Sequence, residues 1–477
     1  MDVLLEEVDV SERVGDFSSV DVTSLELDSR RARPGVLFCC LPGQFSDGHA
    51  FAMDAVERGA VALLTERRLE LDIPQAVVEP GHARPAMAHA AATLEGHPAK
   101  SLQVIGVTGT NGKTTVTHLL GAIFEAYGWP TTVVGTLDGE RTTPEAPVLQ
   151  HVLAEARDGG KKAVAMEVSS HALMQSRVEA LNFRAAVFTN LGQDHLDYHH
   201  TMESYFEAKS RLFLPEQSQQ AIINADDPWG RRLMADALVP TVGYSISEIS
   251  DVEVAPRHTA FTWRGRRIVL GLTGSYNAVN ALAAATCAAS IGLPEDVIAA
   301  GLGAAHPVPG RFEVVDVQGP VTVIVDYAHT PDALATAIAS ARQLAGDKRV
   351  VVVFGCGGDR DKQKRSVMGA VAEAQADLTV VTSDNPRSER REDIIEDILK
   401  GITDRSRTLV EPDRTAALEV ALDMAAPGDV VLIAGKGHEP YMEAGGRKFP
   451  FDDRTEARFA AVRSFDRRKT HAYKGSK

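Results

Sequence analysis

The sequence predicts an α/β protein of three domains, in which strands and helices alternate along the chain. Short apolar, β-branched runs are followed by helical stretches, a pattern typical of parallel sheets flanked by helices. The 477 residues suffice for about three domains. Two polar breaks that contain proline and glycine, at 96–100 and 306–311, interrupt the alternation. We therefore expect domains at 1–99, 100–311 and 312–477.

Seven apolar runs in this pattern end in polar residues, and each is predicted to be a strand. Ligands of open α/β sheets bind outside the carboxyl ends of the strands. One such polar segment could be ordinary turn chemistry, but seven are expected to form ligand sites. The predicted strands are 104–107, 163–166, 185–188, 321–325, 350–354, 378–382 and 430–434. The alanine-rich run 278–304 is predicted to be helical.

The most informative polar segment follows the first of these strands and reads Gly-Val-Thr-Gly-Thr-Asn-Gly-Lys-Thr-Thr from Gly106. A glycine-rich turn before a helix that begins near Lys113 directs backbone N–H groups at a polyphosphate. We expect Lys113 to reach the β- and γ-phosphates of ATP and Thr114 to help hold Mg²⁺. The usual first glycine position holds Val107, so the match to the standard pattern is imperfect. The alternative is a glycine turn that only closes a strand–helix unit.

Composition limits the remaining possibilities. The net charge is −15, from 50 Lys and Arg against 65 Asp and Glu, so neither nucleic acid nor an anionic membrane is expected as a partner. A small anionic substrate would need local basic pockets. The acidic N-terminus lacks a signal-peptide pattern, and no apolar run is long enough to span a bilayer. The four cysteines form neither a disulfide framework nor a zinc-binding spacing, which favours a reducing cytoplasm.

These residues together resemble the Mur ligases, the ATP-dependent amide ligases that build the peptide of peptidoglycan for the cell wall. The family's phosphate loop is Gly-x-Thr-Gly-Thr-Asn-Gly-Lys-Thr, which accounts for Val107. The resemblance covers nearly the whole chain, and the Asp-Asn-Pro-Arg element at 384–387 separates the diaminopimelate-adding type from its relatives. The other matching segments are 27–30, Gly43, 47–49, 142–144, 167–171, 194–199, 208–209, 274–280, 310–313 and 326–329.

The resemblance implies a fold and a reaction. The expected architecture is a small uridine-nucleotide domain, a central mononucleotide-binding domain and a Rossmann-like C-terminal domain. The expected reaction adds meso-diaminopimelate to the D-Glu γ-carboxylate of UDP-MurNAc-L-Ala-D-Glu, through an acyl phosphate formed with ATP. Two Mg²⁺ ions would neutralise the crowded phosphate and carboxylate oxygens. We expect a cytoplasmic monomer whose partners are these small-molecule substrates.

The family's catalytic positions also carry over to this sequence. Lys113, Glu167, His195 and Lys209 are the expected catalytic residues, and the metal would lie near Thr114, Glu167, His195 and Lys209. Lys209 is expected to carry a carbamate formed with CO₂, as N6-carboxylysine. Carbamylation requires a neutral amine, and therefore a lysine pKa that partial burial has lowered.

The family's binding positions fall into three groups. The expected ATP contacts are Gly109, Thr110, Asn111, Gly112, Lys113, Thr114, Thr115, Asn277, Arg311, Asp326 and His329. The expected contacts with the UDP-linked dipeptide are Leu27, Ser29, His49, Thr142, Thr143, Ser169, Gln175 and Arg177. The expected contacts with the incoming amino acid are Arg360, Asp384, Asn385, Arg387, Gly435 and Glu439.

The assignments in two of these groups also have a direct chemical justification. Arg177 can pair with a substrate carboxylate through a bidentate fork. Arg387 and Arg360 can hold the distal carboxylate of diaminopimelate, which lysine lacks, so such a clamp would reject lysine. The stretch 135–144 is shorter than in many relatives, which trims a loop near the nucleotide sugar.

Several alternatives stay open at the level of sequence. The same ligation could use L-lysine, and folylpolyglutamate synthetase shares the central and C-terminal architecture. The N-terminal segment 28–30 and the element 384–387 disfavour the folate-type enzyme. A guanine-nucleotide switch would carry Asn-Lys-x-Asp, which is missing from the sequence, and a non-catalytic scaffold would be expected to lose catalytic residues. The histidines at 195–200 could suggest zinc, but the sequence places no cysteine near them.

Overall fold

Three α/β sheets follow one another along the chain and organise its three parts. The computed structural model describes residues 1–43, 46–137, 139 and 141–475. The strands of the first sheet lie before residue 78, those of the second between 103 and 244, and those of the third between 313 and 434. The expected domain limits fall between these sheets, and we keep 1–99, 100–311 and 312–477 as a proposed division.

The N-terminal sheet has five strands in the order β1-β5-β4-β3-β2, with only β1 antiparallel to its neighbour. Apolar side chains pack on both of its faces, against helix α1 on one side and helix α2 on the other. The elements are β1 Glu12–Val14, β2 Ser24–Glu26, β3 Val36–Cys39, α1 Ala52–Glu57, β4 Ala60–Thr65, β5 Gln75–Val77 and α2 Ala83–Leu94.

The central sheet has six parallel strands in the order β11-β10-β9-β6-β8-β7. Its strands are β6 Gln103–Thr108, β7 Thr131–Val134, β8 Ala163–Glu167, β9 Ala185–Phe188, β10 Ala221–Asn224 and β11 Thr241–Tyr244. Its helices are α3 Lys113–Ala126, α4 Ala146–Asp158, α5 Ser170–Met174, α6 Leu196–His199, α7 Met202–Ser210 and α8 Pro228–Asp236.

A second layer covers one face of the central sheet. Three antiparallel strands and two helices bury one wholly apolar core against α3, including the fully enclosed Trp263. These elements are β12 Ile249–Ala255, β13 His258–Trp263, β14 Arg266–Leu270, α9 Ser275–Ser290 and α10 Glu295–Ala304. The two helices confirm the prediction for the alanine-rich run, whose small side chains allow close packing.

The C-terminal sheet has six strands in the order β15-β16-β20-β17-β18-β19, with β15 antiparallel at one edge. Its strands are β15 Glu313–Val315, β16 Thr322–Asp326, β17 Val350–Phe354, β18 Leu378–Val381, β19 Thr408–Val410 and β20 Val430–Ala434. Its helices are α11 Pro331–Ala345, α12 Gln363–Gln375, α13 Arg391–Leu399, α14 Arg414–Met424 and α15 Asp453–Gly475. A hairpin of β21 Tyr441–Ala444 and β22 Arg447–Pro450 lies between β20 and α15.

Short 3₁₀ turns complete the chain at Val3–Leu5, Ser29–Arg31, Gly48–Phe51, Pro98–Ser101, Arg211–Phe213, Ile246–Glu248 and Arg405–Arg407. The structure confirms each of the seven predicted strands, as β6, β8, β9, β16, β17, β18 and β20, with ends within about one residue of the predicted ones. It also confirms that a helix begins at Lys113. Within the described ranges, none of the helices is both long enough and apolar enough to span a bilayer.

A buried ion pair ties the C-terminal helix to the sheet. The Arg414 guanidinium donates from Nε and Nη2 to the two carboxylate oxygens of Asp453, at 2.7 Å each, and both side chains are fully buried. The same guanidinium donates to the carbonyl of Ser383, two residues after β18, and to that of Ala434 at the end of β20. The ion pair therefore fixes those strand ends as well as α15.

We expect Asp453→Asn to lower the free energy of unfolding by about 3–5 kcal/mol, because it leaves the Arg414 charge buried without a counter-charge. Calorimetric unfolding of the full chain would measure the loss. The matched control is Glu396→Gln, which removes a negative charge from an exposed position of the same domain. Equal stability of the two variants would show that the buried pair contributes little.

Candidate active site

A cavity of about 500 Å³ lies where the carboxyl ends of the central and C-terminal sheets face each other. The phosphate loop after β6 and the segment after β9 form one wall. The segment after β16 and the start of α11 form the opposite wall. The cavity therefore lies at the edge where ligands of α/β sheets bind, and two domains contribute to it.

Glycine is required at two positions of the phosphate loop. Gly109 has φ +145°, and a Cβ at this position would lie 1.9 Å from the Thr189 Oγ1 atom. Gly112 has φ +86°, and a Cβ there would lie 2.6 Å from Asn280 Oδ1. The segment after β9 holds the loop through hydrogen bonds from Asn111 N–H to Asn190 Oδ1 (2.9 Å) and from the Thr189 hydroxyl to the Asn111 carbonyl (2.6 Å). The loop backbone is thus fixed before any phosphate binds.

Lys113 begins α3 and folds back over the loop. Its ammonium donates to the carbonyls of Gly109 (2.9 Å) and Thr110 (2.8 Å) and lines the cavity. Burial lowers the pKa of Lys113, while the nearby charges of Glu167 and Asp194 act in the opposite direction. A polyphosphate in the cavity would offer this ammonium charged acceptors in place of neutral carbonyls.

Glu167 ends strand β8, and its carboxylate is buried at the cavity wall. One of its oxygens accepts from the Thr136 N–H at 2.8 Å, and the other from the Thr136 hydroxyl at 3.3 Å. A Cβ on Gly135 would lie 2.3 Å from the same carboxylate. The chain after β7 can therefore lie this close to Glu167 only if residue 135 is glycine. The carboxylate is therefore held in one orientation.

His195 also faces the cavity, from a left-handed backbone conformation with φ +56°. Its Nε2 atom lies 3.4 Å from Asp194 Oδ2, and its ring contacts the edge of the His171 ring at 4.9 Å between centroids. Burial, together with the positive charges of Lys209 and Lys113, lowers the pKa of His195 to about 3. The imidazole is therefore neutral near pH 7, which is the form that binds a metal ion.

Lys209 lies on α7 directly beneath the phosphate loop, with only 1% of the residue exposed. Its amine donates to the Gly109 carbonyl at 2.8 Å and lies 4.6 Å from the centre of the Tyr205 ring. Burial first, and then the positive charge of Lys113, hold the pKa of Lys209 well below its usual value. Both effects favour the neutral amine over the ammonium.

The donors around Glu167 suit a hard metal ion. A carboxylate, the Thr114 hydroxyl and one neutral imidazole from His195 meet at the cavity, and oxygen-rich donor sets of this kind fit Mg²⁺. Within the part of the chain that the structure describes, no cluster of three or more His, Cys, Asp or Glu side chains is arranged to hold a metal ion by itself. Mg²⁺ at this position would therefore complete its coordination with ligand oxygens and water.

Contacts across the cavity come from Arg311 at the domain boundary and from the C-terminal domain. Arg311 donates from Nη2 to the Thr114 hydroxyl at 2.9 Å, and its guanidinium lies 4.4 Å above the Tyr327 ring. The buried carboxylate of Asp194 lies 3.8 Å from His329 Nε2 and 3.9 Å from the ammonium of Lys364. Burial opposes ionisation of Asp194, but His329 and Lys364 outweigh it and hold the pKa of this carboxyl far below its usual value.

One of the expected ATP contacts lies behind the cavity wall, and another lines the cavity with both oxygens already engaged. Asn277 is buried behind the cavity wall, where it donates to the Thr273 carbonyl (2.7 Å) and accepts from the Asn280 amide (3.0 Å). Asn280, one helical turn later, lines the cavity and is a further candidate for the contact, which stays a prediction for Asn277. Asp326 lines the cavity, but its oxygens accept from the N–H groups of Phe312 and Ala328 at 2.6 and 2.8 Å. Burial raises the pKa of Asp326.

The residues expected to hold the dipeptide are close together beside Glu167. The Thr143 hydroxyl donates to the Glu167 carbonyl (2.9 Å) and accepts from the Ser169 N–H (3.0 Å). Arg177 donates to the Thr143 carbonyl (2.8 Å) and to the Gln175 side-chain oxygen (2.7 Å). Thr142 lines the cavity and shares a hydrogen bond with Thr136 at 3.0 Å. In the shortened loop near these residues, Asp138 and Glu140 lie outside the described residues.

Glu145 is a functional candidate that the sequence reasoning missed. Its carboxylate lies 2.9 Å from Arg177 Nη2 and 3.4 Å from Arg84 Nη1, and it also pairs with Arg141. Three guanidinium groups around one carboxylate leave a net positive charge between the N-terminal and central domains. The position of Glu145 directly after Thr-Thr-Pro is the only sequence signal that could have indicated it.

The residues of the N-terminal domain that are predicted to contact the UDP-linked dipeptide do not line the cavity. Ser29 is buried and Leu27 is half-buried within the N-terminal domain. The His49 ring has a structural role, because Nδ1 pairs with Asp47 at 2.6 Å and Nε2 accepts from the Glu66 N–H at 3.0 Å. Both ring nitrogens are thus engaged within the N-terminal domain, and the contact of His49 with the UDP-linked dipeptide stays a prediction.

The residues predicted to contact the incoming amino acid form a second group in the C-terminal domain. Asn385 donates to Glu439 Oε2 at 2.8 Å, and a Cβ on Gly435 would lie 2.8 Å from Asp384 Oδ2. Lys436, which the sequence reasoning missed, is fully buried between these groups, 3.0 Å from Asn385 Oδ1 and 3.1 Å from Glu439 Oε2.

The two arginines of that group differ in their surroundings. The Arg387 guanidinium is partly buried and donates to the Gly358 carbonyl at 2.7 Å. Arg360 is exposed, and it donates to the carbonyl of Asp359 at 2.9 Å. Arg387 is therefore held in position for a ligand, whereas Arg360 would have to move to reach one.

Three family models match successive parts of the chain. They are the Mur ligase family catalytic domain over residues 21–105, the Mur ligase middle domain over 107–288 and the Mur ligase glutamate ligase domain over 310–437. The chain belongs to the Mur ligase family, whose members are ATP-dependent ligases.

Particular relatives are also similar over nearly their full length. The chain is 45% identical over 466 residues to UDP-N-acetylmuramoyl-L-alanyl-D-glutamate--2,6-diaminopimelate ligase of Geobacillus kaustophilus, covering 92% of this chain and 95% of that protein. A solved structure of a ligase with the same name is 31% identical, with a TM-score of 0.66, over 97% of this chain and 98% of that one. The MurF ligase of Thermotoga maritima, solved in complex with ADP, shares the fold at 18% identity and a TM-score of 0.66, over 95% of this chain and 100% of that one.

We expect Gly109→Ala to weaken binding of ATP with Mg²⁺ at least about tenfold, because the new Cβ would displace Thr189 or the loop itself. Titration calorimetry measures the affinity, and thermal unfolding checks that the variant folds. The control is Gly303→Ala near the end of α10, where the nearest atom to a Cβ would be 3.8 Å away. Wild-type affinity in Gly109→Ala would contradict the phosphate-loop assignment.

Proposed function

We propose that this ligase adds meso-diaminopimelate to the D-Glu γ-carboxylate of UDP-MurNAc-L-Ala-D-Glu, with hydrolysis of ATP to ADP and phosphate. The observation that carries the proposal is the meeting of three groups beside Glu167. These are the phosphate loop, the paired residues Thr143 and Arg177, and the C-terminal residues that reach across the cavity. An ATP phosphate and a substrate carboxylate can therefore lie next to each other.

The reaction must activate a carboxylate before an amine can attack it. In the first step, a γ-carboxylate oxygen attacks the γ-phosphorus of ATP, the bond to the β-γ bridging oxygen breaks, and ADP leaves. Phosphoryl transfer of this kind depends on positioning and on neutralisation of charge. The N–H groups of the phosphate loop and the Lys113 ammonium would hold the phosphates, and Arg177 would orient the dipeptide through a carboxylate.

In the second step, the amine of the amino acid attacks the acyl carbon, phosphate leaves, and the amine nitrogen loses a proton. Water competes for the acyl phosphate, so the cavity has to be covered during this step. The contacts of His329 and Lys364 with Asp194 would support a closed arrangement of the two domains. Closure would also bring the amino-acid group of the C-terminal domain toward the acyl phosphate.

Mg²⁺ bound near Thr114, Glu167 and His195 would neutralise phosphate and carboxylate oxygens during transfer. Lys209 would contribute as a carbamate, since its low pKa favours the neutral amine that reacts with CO₂. Carbamylation replaces a buried cation with an anion close to the Gly109 carbonyl and the proposed metal position. The burial of Lys209 beneath the loop supports this assignment, because a buried ammonium beside Lys113 is disfavoured.

The identity of the amino acid rests on the group around Arg387. A guanidinium that binds a second carboxylate would favour diaminopimelate, because lysine has no carboxylate to offer it. The printed name of the Geobacillus kaustophilus relative agrees with diaminopimelate.

We expect ADP release with ATP, Mg²⁺, UDP-MurNAc-L-Ala-D-Glu and meso-diaminopimelate, and turnover with L-lysine at least about a hundredfold lower in kcat/KM. A coupled assay of ADP and mass spectrometry of the tripeptide product measure both. Turnover with lysine equal to that with diaminopimelate would keep the ligase and remove the second-carboxylate clamp. A chain that is inactive with both amino acids would contradict the proposed reaction.

We expect Lys209→Arg to lose at least about a hundredfold in kcat, because arginine keeps a positive charge and does not form a carbamate. Carbon-13 NMR of the wild-type protein with labelled bicarbonate should show a carbamate resonance that the variant lacks. The matched control is Lys162→Arg, the same substitution at an exposed lysine of the central domain. A resonance that persists in Lys209→Arg, or near wild-type turnover of that variant, would contradict the assignment.

A further inference from the structure

The hairpin formed by β21 and β22 is attached to the amino-acid loop by backbone hydrogen bonds. The Arg387 N–H donates to the Glu443 carbonyl at 3.1 Å, and the Gly445 N–H donates to the Arg387 carbonyl at 2.7 Å. The Glu443 N–H also donates to the side-chain oxygen of Asn385 at 2.8 Å. Strand β21 is therefore hydrogen-bonded to the loop that contains Asp384, Asn385 and Arg387.

The backbone of Arg387 needs this support. Its φ is +52°, a left-handed conformation that is costly for a residue with a side chain. The two hydrogen bonds to the hairpin hold the N–H and the carbonyl on either side of this strained residue. The direction in which the side chain leaves the loop consequently depends on the hairpin.

The hairpin also contacts the guanidinium itself. Glu443 Oε2 lies 3.4 Å from Arg387 Nε, and both side chains are partly buried, at 27% and 20% exposure. On the far side, Arg387 Nη1 donates to the Gly358 carbonyl at 2.7 Å. Among the described residues, Arg387 Nη2 has no hydrogen-bond partner. Two fixed contacts thus orient the planar group and leave one terminal nitrogen for a ligand.

We propose that Glu443 is a specificity-positioning residue, which orients Arg387 so that its free Nη2 nitrogen meets the distal carboxylate of the amino-acid substrate. The inference rests on the proposed function and adds a residue to which no role in the reaction has been assigned above. Glu443 acts through Arg387 and does not itself contact the substrate. The negative charge of Glu443 repels a poorly aligned carboxylate. Only a substrate carboxylate placed against the free Nη2 nitrogen of Arg387 therefore binds well.

This role predicts an effect on one substrate only. Glu443→Gln keeps the length of the side chain and loses the charge that holds Arg387 Nε. We expect the KM for meso-diaminopimelate to rise about tenfold with little change in kcat, since one charge-assisted contact is lost from a binding step. The KM values for ATP and for UDP-MurNAc-L-Ala-D-Glu should stay at wild-type levels. Glu443→Asp, which restores the charge on a shorter side chain, should recover part of the loss.

The experiment measures steady-state kinetics of the full-length enzyme with each substrate varied in turn, and kcat/KM with L-lysine at high concentration. Lysine has no distal carboxylate, so its kcat/KM should be the same in wild type and Glu443→Gln. The matched control is Arg447→Gln, which changes one charge at an exposed position of the same hairpin. That control should leave all three KM values unchanged.

The possible outcomes separate this inference from the proposed function. Wild-type protein without turnover of diaminopimelate would overturn the proposed function, and the inference with it. With an active wild type, an unchanged or lower KM for diaminopimelate in Glu443→Gln would overturn the positioning role alone. A parallel loss with diaminopimelate and lysine, or a loss in Arg447→Gln of similar size, would assign the effect to the stability of the hairpin and also overturn it.

Discussion

The carboxylate of Asp326 holds the junction on which the arrangement of the site depends. It ends strand β16 of the C-terminal sheet, and its two oxygens bind the N–H groups of Phe312 and Ala328. Phe312 has φ +50° and follows Arg311, so this carboxylate fixes the chain at the point where it passes from one domain to the other. Arg311 can then contact Thr114 across the cavity. A buried acceptor of two backbone N–H groups is well suited to this task, because both donors would otherwise be buried without partners.

The site places cations beside several carboxylates, in a chain whose net charge is −15. Lys113 and Arg311 line the cavity, and Lys209 lies beneath the loop. The carbonyls of Gly109 and Thr110 accept from these ammonium groups, which lowers the cost of burying them. A bound polyphosphate would supply the counter-charge. The local potential, and not the net charge, therefore determines which ligands such a protein can bind.

The sequence predicted the strands of the two larger sheets well, because each is a buried β-branched run that ends in polar residues. It also indicated the phosphate loop, Glu167, His195 and Lys209, which share the neighbourhood of one cavity wall. For two of the predicted residues that do not line the cavity, packing sets the direction of the side chain. Asn277 and Asn280 are both in a family motif, and only the rotation of helix α9 places Asn280 on the cavity. His49 lies in a matching segment, but its ring packs inward on Asp47 and Glu66.

The sequence alone determined the class of fold, the order of its elements and the chemistry of the phosphate loop, since these follow from local periodicity and from short-range turn geometry. Only the tertiary structure decided which side chains face one another across domains. Glu145 pairs with Arg84 and Arg177, which lie in distant segments of the chain. Glu443 contacts Arg387 from a hairpin whose sequence contains no recognisable motif. Such pairs depend on the packing of whole sheets and helices, and a local sequence pattern carries no information about that packing.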